Sequence, residues 1–176
     1  MKMKNKKSFT YVAQAGVIAA LYVALTYVSA ALNLAYGPVQ VRMSEMLTIL
    51  PVFTPAAVPG LLIGCILGNL QSPLGVVDIL FGSLATFIAA LLSRSFRQYR
   101  IKGLPILSAT PPVIINAFII GLELYILLPA YAGISGFVYG VISVGIGQVI
   151  SCYIFGLLLF AAIERSGVKK ALHFES

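Results

Sequence analysis

The chain has 176 residues, 60% of them hydrophobic and only 10% charged, with a formal net charge of +7. A soluble domain averages roughly 25% charged residues, so this composition excludes a water-covered globule and points to an integral membrane protein. At ~20 residues per crossing, the length holds about six to seven spans and almost no extramembrane domain.

The first apolar run, Phe9 to Leu34, follows the basic stretch Lys2 to Lys7. It resembles a secretory signal, but it far exceeds the roughly 7–15 apolar residues of a signal core, so it reads as a retained first span. Ala13, Gly16, Ala20, Ala24 and Ala31 fall on one face of that helix, and Ala15 and Ala19 form a second small-residue pair on the other side. Small residues let helix backbones approach closely in lipid. Having them on two faces leaves one available for a partner protein, although packing within the same bundle would also account for them.

Gly37-Pro38-Val39-Gln40-Val41-Arg42-Met43-Ser44-Glu45 interrupts the apolar sequence and holds the only charged residues between Lys7 and Asp78. A hinge needs only glycine and serine; an arginine and a carboxylate three residues apart point to a polar task. The second segment, Met43 to Phe53, and the Gly-rich third, Ala56 to Leu70, are short and Pro-punctuated, which predicts tilted or broken helices. Gln71-Ser72-Pro73 precedes the fourth, Val76 to Ser93. A basic loop, Arg94 to Lys102, leads to the fifth, Leu104 to Leu128, and Pro129 to Ser135 turns the chain into the sixth, Gly136 to Ile163. No repeat of fixed period is evident.

Placing the N-terminus inside and alternating six spans puts eleven Lys and Arg residues inside and Arg42 alone outside. Such asymmetry is the positive-inside signature, and an odd number of spans would break it. The positive charge is thereby a matter of topology and not of nucleic-acid binding. The expected fold is an all-α, six-helix membrane bundle, one domain over 1–176, with cytoplasmic tails at 1–8 and 164–176.

In this topology Glu45, Asp78 and Glu123 gather in the outer leaflet from three different helices, while Glu164 and Glu175 belong to the inner tail. Asp78 also suits a helix-start cap, and Glu45 could pair with Arg42 one turn away. Glu123 lies inside a span with no basic neighbour in sequence, so a partner across the bundle or a ligand must meet its cost. Asn116 precedes it by seven residues, on nearly the same face. Gln148, Ser143 and Tyr139 on the sixth span and Gln40 in the loop complete the candidate binding set; interhelical hydrogen bonding would equally explain the uncharged members. Tyr36, Tyr125, Tyr131 and Tyr139 also fit an interfacial aromatic belt. Three carboxylates against one arginine suit a small, cationic or donor-rich, aromatic solute.

Cys65 and Cys152 sit inside apolar runs and read as packing residues. His173 stands alone, no glycine-rich loop is followed by Lys, and so neither zinc nor nucleotide chemistry has its residues; no cofactor is expected and catalysis is not. Active transport would then require an ion gradient or an energising partner.

The segment Tyr36-Gly-Pro-Val-Gln-Val-Arg-Met-Ser-Glu45, the run Leu50-Pro-Val-Phe-Thr-Pro-Ala-Ala-Val-Pro-Gly60 and the block Asp78-Ile-Leu-Phe-Gly-Ser-Leu-Ala-Thr86 resemble the QueT family, substrate-binding S components of energy-coupling factor (ECF) transporters. The fifth and sixth spans match it mainly in character. The resemblance implies a protein of the bacterial plasma membrane that captures a queuosine precursor, a 7-deazaguanine such as 7-aminomethyl-7-deazaguanine, from outside. It also implies delivery with a transmembrane scaffold subunit and two ATPases, with docking through small residues of the first span, here Ala15, Gly16, Ala19, Ala20 and Ala24. Glu123 and Glu45 are then the two carboxylates for the ligand's N–H edge and its cation, in either order, with Asn116 and Gln148 reading its carbonyl and ring nitrogens. An S component for another vitamin, a self-sufficient carrier for a cationic solute, a small membrane enzyme and a ligand-free structural subunit are the competing readings.

Overall fold

In the computed structural model the described residues are 2–35 and 39–166, with side chains from residue 8 onward. The chain is helical almost throughout. Helix α1 covers Lys2–Ala31, α2 Ala57–Gly68, α3 Val76–Ser95, α4 Ile106–Leu127, α5 Gly133–Gln148 and α6 Leu157–Ser166. A 3-10 helix, Met43–Val52, stands between α1 and α2, and a π-helical stretch, Val149–Gly156, joins α5 to α6 without a break. Among the described residues four helices are long and apolar enough to cross a membrane: Ser8–Ala31, Val76–Ser95, Ile106–Leu127 and Gly133–Ser166.

The side-chain distribution is the reverse of a soluble protein's. Leu80, Leu84, Phe118, Ile126 and Leu158 face outward, each more than half exposed, while Thr26, Ser44, Glu45, Asn69, Asn116 and Glu123 are buried. Apolar surroundings reward that inversion, and water does not.

The 3-10 helix lies in the interior. Ser44, Glu45 and all of Leu47 to Val52 are buried in the 3-10 helix, which packs against α1, α3 and the π segment. At ~2.0 Å rise per residue its ten residues extend about 20 Å, roughly two-thirds of the about 30 Å of the 20-residue α3. The turn Phe53 to Ala56 then sends α2 back, with Thr54 donating to Gln14 Oε1 at 2.8 Å.

Helix α2 presents Gly60, Gly64 and Gly68 to α1. A Cβ on Gly64 would lie 2.6 Å from Tyr22 Cβ, and one on Gly60 would lie 2.8 Å from the Ala15 carbonyl oxygen. Ala15 and Ala19 are buried in that seam, as expected when van der Waals contact between backbones drives association in lipid.

Opposite ends of the bundle carry different chemistry. At one end Arg94 donates to the Pro51 carbonyl at 2.9 Å, Arg100 lies 5.1 Å from the centre of the Phe160 ring, and Phe160 stacks on Phe53. The buried carboxylates lie towards the other end. Gly37-Pro38 of the polar interruption, Tyr36 of the aromatic belt, His173 and Glu175 lie outside the described residues.

Candidate functional site

The segment Gln40 to Glu45 builds the site because it is fastened on both sides. On one side its backbone lies directly on α5: a Cβ on Gly147 would come within 2.1 Å of the Gln40 carbonyl oxygen. Only glycine permits that approach. On the other side Arg42 reaches α2 and α3. Its Nη1 donates to Asn69 Oδ1 at 2.9 Å, its Nη2 to Asp78 Oδ2 at 3.3 Å, and its Nε to the Ala35 carbonyl at 3.2 Å. Asn69 returns a bond to the Asp78 carbonyl at 3.1 Å.

This corrects two sequence expectations. Arg42 takes the carboxylate of another helix, Asp78, as its ion-pair partner in place of Glu45 one turn away. Asp78, three residues into α3, is more than a helix-start acid, since it fastens the loop.

Glu45 turns inward at the start of the 3-10 helix. The Tyr22 hydroxyl donates to its Oε1, and Asn116 Nδ2 contacts its Oε2 at 3.4 Å. The same Asn116 nitrogen lies 3.4 Å from Gln148 Oε1, which also accepts from the Cys152 thiol at 3.4 Å. One turn of α1 further on, Thr26 donates to Ser44 Oγ at 2.9 Å, and Ser29 Oγ accepts the Met43 backbone N–H at 2.8 Å. Helices α1, α4 and α5 thus converge on the first residues of the 3-10 helix.

Glu123 differs from the rest. It is 0% exposed, and neither of its carboxylate oxygens has a hydrogen-bond partner among the described residues. The charged groups near enough to act on it are Asp78 and Arg42.

The structure brings Gln40, Arg42, Glu45, Asp78, Asn116, Glu123, Ser143 and Gln148 into the buried interior. Tyr139 is 56% exposed on α5, with its ring beside Tyr131. The small residues of α1 divide likewise. Gly16, Ala20 and Ala24 lie on the exposed face, whereas Ala15 and Ala19, expected among the docking residues, are committed to α2.

Sequence reasoning missed Tyr22, Thr26, Cys152 and the role of Asn69. A phenol midway along the first span, between Tyr11 and Tyr27, was the available signal for Tyr22, since an interfacial belt places tyrosines at span ends. The described residues contain no cluster of three or more metal-ligating side chains.

These features define an all-helical membrane protein with an internal, acid-rich polar site. The sequence profile of the QueT transporter family matches residues 12–165, and the chain belongs to that family. A curated protein of Lactococcus lactis subsp. cremoris (strain MG1363), the "Queuosine precursor transporter QueT", is 38% identical over 84 residues, 47% of this chain and 49% of that protein. The chain thus matches about half the length of that relative. No solved structure matches it.

Proposed function

We propose that the chain is the substrate-capture component of an ECF-type importer, binding a queuosine precursor of the 7-deazaguanine type from the extracellular side. The observation that carries this reading is the orphaned, fully buried carboxylate of Glu123, beside a polar cluster fed by α1, α4 and α5. A ligand is the simplest remaining partner for a group so costly to leave unpaired. The family and the name of the relative support the substrate class.

In this reading the chain crosses the bacterial plasma membrane six times with both ends cytoplasmic. The four long helices and two shorter ones supply the crossings, and the arginines opposite the carboxylates supply the orientation. Segment Gln40–Glu45 closes the outer side of the site, held there by Arg42 and Asp78. The guanine-like edge and carbonyl of the ligand meet Asn116 and Gln148. A scaffold subunit docks on the α1 face bearing Gly16, Ala20 and Ala24 and couples the chain to two ATPases, because the chain has no nucleotide-binding loop of its own. It carries its ligand and transforms nothing.

A self-sufficient carrier for a small cationic solute is the second reading, favoured by the excess of buried carboxylates. Uptake of labelled 7-aminomethyl-7-deazaguanine into vesicles separates the two. Uptake with the scaffold and ATPases and none without them supports the importer. Equal uptake by the chain alone, responsive to an ion gradient, overturns it in favour of the carrier.

A further inference from the structure

The two inward carboxylates have different surroundings. Glu45 already holds the Tyr22 hydroxyl on one oxygen and a long amide contact from Asn116 on the other. Glu123, equally buried, holds nothing among the described residues. Asn116, which shares a face of α4 with Glu123, is turned to Glu45 and Gln148.

The charges are unbalanced as well. The buried charged side chains among the described residues are Arg42, Glu45, Asp78 and Glu123, and the cation among them is bonded to Asp78. With all four ionised the interior carries two negative charges in excess, in surroundings where uncompensated charge is most costly. A neutral N–H edge on Glu123 would satisfy its lone pairs and leave that excess untouched. An ammonium group satisfies the lone pairs and reduces the excess.

Resting on the queuosine-precursor reading above, we infer that Glu123 is the counter-ion of a cationic substituent on the ligand. The site therefore selects 7-deazaguanines that carry an ammonium over neutral ones of the same ring. Glu45 is a positioning residue: locked by Tyr22, it holds the Asn116 amide in place against the shared ring system.

The test is titration of the purified, detergent-solubilised chain with two ligands that share the ring and differ in charge, 7-aminomethyl- and 7-cyano-7-deazaguanine. Wild type binds the aminomethyl compound about 10- to 100-fold more tightly, the range of a charge-assisted hydrogen bond. Glu123→Gln removes that preference, bringing the affinities of the two compounds together chiefly by weakening the aminomethyl one, while Glu123→Asp, which keeps the charge, retains part of the preference. Glu45→Gln weakens both ligands by a similar factor and leaves their ratio intact.

Wild-type affinities that are equal, or higher for the cyano compound, overturn the assignment without any variant. So does a Glu123→Gln protein that loses both ligands equally, since Glu123 would then read the shared ring edge. Folded wild type that binds neither compound overturns the queuosine-precursor reading and this assignment with it, a result distinct from both of the others.

Discussion

Removing either member of the Arg42–Asp78 pair tests whether the outer segment is fastened as described. At 3.3 Å and an effective dielectric of about 20, the attraction is about 5 kcal/mol, against which the desolvation of both groups must be set. The net worth of the pair is therefore small, but the cost of breaking it is not. Asp78→Asn removes the carboxylate from a buried guanidinium and leaves the neutral acceptors Asn69 Oδ1 and the Ala35 carbonyl beside it. Arg42→Met leaves a buried carboxylate without its cation. Each single change should cost about 3–5 kcal/mol, and the double variant far less than their sum, with a coupling of at least ~2 kcal/mol. Equilibrium unfolding in mixed micelles, followed by circular dichroism, measures all four corners of the cycle. Single losses that add within ~0.5 kcal/mol would show that the pair does not act as a unit, and the fastening argument would fall.

Other substitutions probe the remaining contacts. Gly147→Ala places a methyl 2.1 Å from the Gln40 carbonyl oxygen; the overpacking should cost about 1–3 kcal/mol and weaken ligand binding while the helical circular dichroism spectrum stays the same. Gly64→Ala drives a Cβ to 2.6 Å from Tyr22 Cβ, so the thermal midpoint should fall as α1 and α2 separate, by an amount again equivalent to about 1–3 kcal/mol. Tyr22→Phe strips Glu45 Oε1 of its donor and should destabilise the protein by about 1–3 kcal/mol, visible in the same unfolding assay. Glu123→Gln replaces an unpaired buried carboxylate by a neutral amide, so the ligand-free protein should melt at a higher temperature; a lower midpoint would mean that the carboxylate has a structural partner.

The sequence carried the architecture through its breaks and charges. Pro-rich punctuation and the basic loop Arg94 to Lys102 separated the helical segments, and the shortness of Met43–Phe53 and Ala56–Leu70 predicted departures from straight spans. It could not say that the first of these is a 3-10 helix at the centre of the bundle. Almost every residue there is buried, so no amphipathic period distinguishes one helical winding from another. The π segment Val149–Gly156 was also invisible, because it lies within one unbroken apolar stretch that runs from α5 into α6.

Within the site, charge was legible because it is expensive in lipid: Arg42, Glu45, Asp78 and Glu123 stood out from an apolar background. Their pairing was not legible. Local spacing favoured Arg42 with Glu45, but the chain path carries Arg42 to α2 and α3 while Glu45 turns to Tyr22. The two small-residue faces of α1 were legible, and the structure sets Ala15 and Ala19 against α2 while Gly16, Ala20 and Ala24 face outward; the depth of Tyr139 along its helix did not say which face it occupies.

The central claim, that a queuosine precursor occupies the site around Glu123, is tested most directly by calorimetric titration of the purified wild-type chain with 7-aminomethyl-7-deazaguanine. The account predicts saturable binding of one ligand per chain. A folded protein that shows no heat of binding with this compound, yet binds riboflavin, biotin or thiamine, would contradict it.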